Sequence, residues 1–552
     1  MLPAQERGMN GSMMGFQLTL PAVMRRAESL FGQKEIVTSL HDKSRHRYTY
    51  QDMIRRAKQL ALALRRLGIR HGDRVATFSW NHYQHLEAYF GIPACGGVLH
   101  TLNLRLHPDD LTYIANHAED QVLLVDQGLW PLVEKFIDRV NFRHVVIIPE
   151  TSEDLPEGTL SYEALLAAED PEAFEYPDLD ENQAVAMCYT SGTTGMPKGV
   201  LYSHRAIVLH TIANAMTDTL GLSESDVVVP VVPMFHANAW GLPFTALMVG
   251  AKQVFPGPHL EPENLLQLLA EERVTLTAGV PTIWLGILRI LDREPKRFDL
   301  SSLHTMVVGG SAAPRALIDG FLTRHRLRVL HAWGMTELSP MGTVARVRSH
   351  VAAQGPDAES QYRARQGTPV AMVEIRARNE EGPVAWDGQA MGELEVRGPW
   401  VAASYYNSPE GSQSFTEDGW FRTGDIVSIF PDGSMQLQDR AKDVIKSGGE
   451  WISSVALENA LMGHPAVAEA AVIPVAHPRW AERPLAAVVR KSDAQVSGEE
   501  LLEYLRPHFA KWWLPDAIEF VDEIPKTSAG KFKKSELRQQ FHDYYEKVSD
   551  DA

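Results

Sequence analysis

Cysteine is nearly missing from this chain: Cys95 and Cys188 are the only two thiols in 552 residues. So few, so far apart and without histidine-rich company, they exclude a disulfide framework and a zinc site and fit a reducing compartment. Positive charge is also short, with 53 Lys and Arg against 70 Asp and Glu, a net charge of -17. That balance opposes nonspecific attraction to nucleic acid or to an anionic membrane surface, so any phosphate has to be held by local groups. No apolar run approaches the roughly 18 residues needed to cross a bilayer. The most apolar stretch, Val227 to Phe235, is broken by Pro230 and Pro233 and reads as a buried strand. The amino-terminal stretch contains Glu6 and Arg7 and lacks the apolar core of a secretory signal, which predicts a cytoplasmic protein. Transient contact with a membrane surface stays open. Repeats of solenoid period and long low-complexity tracts are absent as well.

What is present is the texture of a globular enzyme, with 44% apolar and 22% charged residues. The length exceeds what one core accommodates, so at least two domains are expected. Short apolar runs alternate with amphipathic stretches, as at 74–78 and 121–125, and the pattern returns at 184–189, 227–232, 275–278 and 305–308 with a helix predicted over 264–272. Alternation of this kind predicts an α/β fold of layered, mostly parallel sheets. After about residue 365 the chain turns to Gly- and Pro-punctuated strands, including 392–398 and a hairpin about Asp432-Gly433, a distorted β subdomain. The charged segment 439–443 is the expected boundary, dividing a large part, 1–438, from a small α+β part, 444–552, with helices near 457–462 and 499–505.

The strongest chemical signal is the run Tyr189-Thr190-Ser191-Gly192-Thr193-Thr194-Gly195-Met196-Pro197-Lys198-Gly199, placed between a predicted strand and a helix-like stretch. Glycines permit close backbone approach, hydroxyls donate to phosphoryl oxygens and Lys198 adds a cation, so the segment reads as a phosphate loop for a nucleoside triphosphate. It is not a Walker A loop, because Pro197 stands where glycine should precede the lysine and Gly199 where Ser or Thr would hold magnesium. Gly309-Gly310-Ser311-Ala312-Ala313-Pro314 follows another predicted strand, where open α/β sheets bind ligands, although a plain tight turn accounts for the segment equally well.

The phosphate loop resembles the signature of the adenylate-forming enzymes, a superfamily of acyl-CoA synthetases, luciferases and peptide-synthetase adenylation domains. Further segments resemble that superfamily in the expected order over about residues 40 to 540. The resemblance implies that His331-Ala332-Trp333-Gly334-Met335-Thr336-Glu337 meets adenine, with Gly310 and Ser311 beside it, and that Glu337 and Thr190 hold Mg2+. Trp333 stands where the family more often has Tyr, which keeps an aromatic face but loses a hydroxyl. By the same resemblance Asp425, in Trp420-Phe421-Arg422-Thr423-Gly424-Asp425, binds the ribose with Arg440 assisting. Lys531, in Pro525-Lys526-Thr527-Ser528-Ala529-Gly530-Lys531, is the implied catalytic lysine, set between an attacking carboxylate and the α-phosphate of ATP.

Since Lys531 and the phosphate loop lie far apart in sequence, the resemblance implies a mobile small domain pivoting at Lys442, in a hinge of residues 439–443. Its other face would then present Lys446, Gly448, Gly449 and Trp451 to coenzyme A. The segment from Val232 to Trp240 resembles the acyl-binding stretch, with His236 and Ala237 at the carboxylate end and Trp240 in a hydrophobic tunnel. Amino-acid-activating relatives usually place Asp where His236 stands, so a plain carboxylic acid is expected. The whole chain is similar to bacterial medium- and long-chain fatty-acid-CoA ligases, which implies ATP, Mg2+ and coenzyme A as cofactors and a homodimer. An aryl or short-chain acid, or a non-catalytic nucleotide sensor, is the alternative.

Overall fold

Continuous burial along a strand is the signature of a parallel sheet covered on both faces, and Asp120–Asp126 is buried at six of its seven positions. In the computed structural model, which describes residues 11–151, 154–190, 196–447, 450–477, 479–491, 494–526 and 532–544, it lies inside a seven-stranded sheet. The strands of that sheet run parallel from Leu160–Ser161 to Ala184–Tyr189, and only the edge strand Gly199–Ser203 is antiparallel. A nine-stranded sheet has a parallel centre, Val329–Gly334, Thr305–Val308, Leu276–Gly279, Val227–Pro230, Lys252–Phe255 and Glu35–Ser39, flanked by antiparallel edges. The expected α/β layers are therefore present.

Helices join the two sheets. Tyr50–Arg66 begins at a reciprocal cap between Thr49 and Asp52, the pairing that satisfies two otherwise orphaned backbone donors. Its apolar face packs with the almost wholly buried helix Tyr83–Cys95. One core contains Leu60 and Phe90 of these helices, Val75 and Val122 of the seven-stranded sheet, and Ile36 and Phe255 of the nine-stranded sheet. The β-rich segment forms a five-stranded antiparallel sheet that ends with Met435–Arg440, and Asp432-Gly433 turns the hairpin between Phe421–Ile429 and Met435–Arg440. From Ile445 the chain enters a separate sheet with its own apolar cluster, backed by helices Ser454–Met462 and Gly498–Leu505.

One local expectation needs correction. The stretch from Val227 to Phe235 is a strand only over Val227–Pro230, because the prolines deny backbone donors to a neighbour. Val231 and Val232 both donate to the Ala278 carbonyl at 2.9 Å, and the chain then leaves the sheet. No helix among the described residues is long and apolar enough to cross a membrane.

Several histidines serve these layers in neutral form. His204 accepts from the Leu20 amide at 3.2 Å, and His210 accepts from the Met341 amide at 3.2 Å. Burial lowers His204 to about 4 and His210 to about 3, from the ordinary 6.5. Below 6.5 the unfolded chain takes up protons that the native state refuses, so this contribution to stability is complete above 6.5 and shrinks as pH falls toward 4. Thermal unfolding is expected to shift downward between pH 7 and pH 5, by up to about 1.4 kcal/mol per pH unit for each such histidine. His204→Gln should reduce that slope; an identical slope in the variant contradicts the assignment.

Candidate active site

Strands of both parallel sheets aim their carboxyl ends at one cavity, the place where ligands gather in open α/β sheets. Tyr189 leads into the phosphate loop, Pro230 into the acyl segment, Val308 into Gly309-Gly310 and Gly334 into Met335-Thr336-Glu337. The cavity measures about 1310 Å³ and is walled by residues from these loops, from the β subdomain and from Phe532 of the small domain. A second cavity of about 200 Å³ adjoins it through Gly310, Trp333 and Arg440, and includes Ser311, His331 and Asp425.

Thr190 and Lys198 are joined by two hydrogen bonds. The Thr190 amide donates to the Lys198 carbonyl at 2.9 Å, and the Lys198 amide donates to Thr190 Oγ1 at 3.2 Å. Ser191, Gly192, Thr193, Thr194 and Gly195 lie outside the described residues, as do Gly448, Gly449 and Lys531. Thr190 and Lys198 line the main cavity, and the Lys198 ammonium sits 4.8 Å from the centre of the Tyr405 ring, a cation–π arrangement. The Tyr405 hydroxyl donates to Glu337 Oε1 at 2.6 Å. One aromatic side chain thus occupies both the expected phosphate cation and the expected metal ligand. Burial pushes the Glu337 carboxyl above its ordinary range, and the Tyr405 hydrogen bond and Arg440 oppose that rise.

The acyl segment has an unusual backbone. Ala237, Asn238, Ala239 and Trp240 have φ values of 44°, 51°, 50° and 56°, four consecutive left-handed residues that include no glycine. Each costs roughly 1–2 kcal/mol, so such a turn persists only where its surroundings hold it. Here Asn238 accepts from the Cys188 thiol at 3.6 Å and donates to the Tyr89 hydroxyl at 3.4 Å, and Asn214 donates to the Trp240 carbonyl at 3.3 Å. The turn lays the Trp240 indole over Gly309, where an added Cβ would stand 3.1 Å from the ring. His236, Ala237 and Trp240 all line the main cavity, near Pro340 and Met341.

Ala332, Trp333, Gly334, Thr336 and Glu337 line the main cavity. His331 lines the smaller cavity and is also held by backbone groups. Its Nδ1–H donates to the Ala364 carbonyl at 3.2 Å and its Nε2 accepts from the Ala313 amide at 3.3 Å, so it ties the 309–314 turn to the next layer. Asp425 is 1% exposed and faces Arg440 Nε at 2.8 Å. Arg440 and Lys442 line the main cavity, and burial lowers the Lys442 ammonium below its ordinary value. Lys446 and Trp451 pair across a short hairpin and line neither cavity. Tyr405, Glu393 and Arg422 are wall residues that sequence reading missed. No spacing rule flags them, because the β subdomain delivers them by tertiary packing.

The chain belongs to the AMP-binding enzymes: residues 25–406 match that family and residues 456–531 match the AMP-binding enzyme C-terminal domain. It is 50% identical to a long-chain-fatty-acid–CoA ligase of Thermus thermophilus over 538 residues, 97% of each chain. It is 42% identical to a medium-chain-fatty-acid–CoA ligase of Ectopseudomonas oleovorans over 541 residues, 97% of this chain and 98% of the relative. The anthranilate CoA ligase AuaEII in complex with anthranoyl-AMP superposes with a TM-score of 0.86 at 27% identity, covering 96% and 99% of the two chains. Fold, site and relatives together make this protein an AMP-forming acid–thiol ligase.

Glu337→Gln preserves an acceptor for the Tyr405 hydroxyl and removes the charge. Acyl-adenylate formation is expected to fall by about 10²-fold or more with little change in melting temperature. Retained adenylation in a pyrophosphate-release assay argues against the role given to Glu337.

Proposed function

We propose that the enzyme activates a medium- to long-chain fatty acid with ATP, releasing pyrophosphate, and then transfers the acyl group from the adenylate to the thiol of coenzyme A, releasing AMP. The observation that supports this most is the convergence in one cavity of Thr190 and Lys198, of Glu337, and of Arg440 and Lys442, beside an apolar end at Trp240 and Met341. In this reading Lys198 and the loop amides take the β- and γ-phosphates, Trp333 and Gly310 flank adenine, and Asp425 and Arg440 take the ribose. His236 and Ala237 border the acid. Coulomb repulsion between the carboxylate and the α-phosphate is the barrier to be lowered, and Lys531, next in sequence to the cavity residue Phe532, supplies the opposing charge.

Among the described residues no group of three His, Cys, Asp or Glu side chains could hold a metal ion. The donor set is one buried carboxylate, Glu337, and the Thr190 hydroxyl, oxygen ligands that fit a magnesium ion completed by phosphate oxygens. When bound, that ion supplies positive charge to the triphosphate.

The second half-reaction needs a different face of the small domain. The turn at 441–444 joins two separate sheets, which supports Lys442 as the pivot and segment 439–443 as the hinge between parts 1–438 and 444–552. Lys446, Gly448, Gly449 and Trp451 then belong to the coenzyme A face. A homodimer in the cytoplasm completes the reading; Cys95 and Cys188 are buried free thiols, as suits a reducing compartment.

Lys531→Ala is expected to depress adenylate formation by about 10²–10³-fold while leaving thioester formation from supplied acyl-adenylate near its original rate. Equal loss of both steps refutes the division of labour. CoA-dependent AMP formation across acids from acetate to long-chain fatty acids, with benzoate, tests the substrate. A 43% identical relative, the 3-methylmercaptopropionyl-CoA ligase of Ruegeria lacuscaerulensis, matches over 540 residues, and favours a short acid as the second reading. Trp240→Ala should move the preferred chain length upward, since each further methylene admitted is worth about 0.8 kcal/mol, about fourfold in affinity. An unchanged preference removes Trp240 from the acyl site.

A further inference from the structure

Trp333 and Asp425 stand 92 positions apart in sequence, on strands of different sheets, yet the indole Nε1–H donates to Asp425 Oδ2 at 2.8 Å. Both are buried, Trp333 at 7% and Asp425 at 1% exposure. The indole is fixed from behind by Gly342, where an added Cβ would meet the ring at 2.4 Å, so only glycine allows this seat. On its other side the ring lines both cavities.

The two oxygens of Asp425 are treated unequally. Oδ2 accepts the indole hydrogen bond, whereas Arg440 Nε faces Oδ1 at 2.8 Å as an ion pair without hydrogen-bond alignment. Among the described residues Oδ1 therefore has no aligned donor, although it is fully buried. A buried acceptor left in that state is costly, and a hydroxyl donor arriving from the cavity relieves the cost.

We propose that Trp333 is a positioning residue for sugar recognition: its indole N–H holds the Asp425 carboxylate so that the unfilled acceptor Oδ1 receives a ribose hydroxyl of the nucleotide. The same side chain gives a face to the base and a donor to the acid, so base stacking and selection of the sugar are coupled through one rigid ring. A free carboxylate has to be oriented on binding; this one is oriented beforehand. The inference rests on the proposed function, because the sugar is that of ATP.

The test compares ATP with 2′,3′-dideoxy-ATP, which keeps base and phosphates but has no sugar hydroxyl, by calorimetric titration of the full chain. In Trp333→Phe the ring face stays and the donor goes. Affinity for ATP is expected to fall about tenfold, and affinity for the dideoxy analogue by less than about twofold. Equal weakening of both nucleotides overturns the proposal and leaves Trp333 as a platform for the base. If Trp333→Phe does not fold, benzothienylalanine at position 333 removes the N–H while keeping the shape, and the same two outcomes apply. If the unsubstituted protein binds neither nucleotide, the proposed function itself fails and the positioning role falls with it. If it binds ATP but no better than the dideoxy analogue, only the positioning role falls.

Discussion

A protein of net charge -17 has to bring two anions together, and everything at its centre answers to that repulsion. The main cavity wall contains Lys198, Arg422, Arg440 and Lys442, but also Glu337, Glu393 and Asp443. These four cations act at the site itself, since charges farther off on the surface are screened over about 10 Å. Each charge also has to survive in the absence of ligand. Tyr405 does this for two of them, with its ring under Lys198 and its hydroxyl on Glu337. Trp333 does the same for Asp425. Aromatic side chains with one polar atom suit the task, since they fill space, exclude water and satisfy a charged partner at once.

The small domain and the segment 439–443 that leads into it also pair their charges. Lys534, from helix Lys534–Gln540, pairs with Glu458 at 2.6 Å and donates to the Ser454 hydroxyl, while Asp439 accepts from the Ser454 amide at 2.8 Å. Arg538 pairs with Asp443. Burial raises the Glu458 carboxyl and the nearby lysine opposes that rise. Paired charges of this kind add little net stability relative to apolar packing, but they fix geometry and tolerate exposure to water when separated. The small domain keeps its own apolar cluster about Leu457, Val472 and Leu501.

Much of the architecture was legible because it depends on periodicity and on residues that act locally. Strands at 74–78, 184–189 and 305–308 occur where apolar runs place them, and the hairpin turns at Asp432-Gly433. The segment 189–199 stands out in the sequence for the same reason, since its glycine, hydroxyl and lysine residues are consecutive. The left-handed turn at 237–240 was not legible. In Ala-Asn-Ala-Trp only the Asn favours positive φ; Asn214, Cys188 and Tyr89 hold the turn from three other parts of the chain. His331 stands beside Trp333 in sequence, and its hydrogen bonds to the Ala364 carbonyl and the Ala313 amide come from distant chain segments that no local pattern indicates.

The sequence by itself determined the class of fold and the order of its parts, because these follow from local spacing and from side-chain chemistry that does not depend on neighbours. Tertiary structure alone decided which partner each buried charge has: Tyr405 for Glu337, Trp333 for Asp425, Glu458 for Lys534. Such partners are separated by 68, 92 and 76 residues, and a hydrogen bond is effective only within about 3 Å, so no pattern read along the chain can assign them.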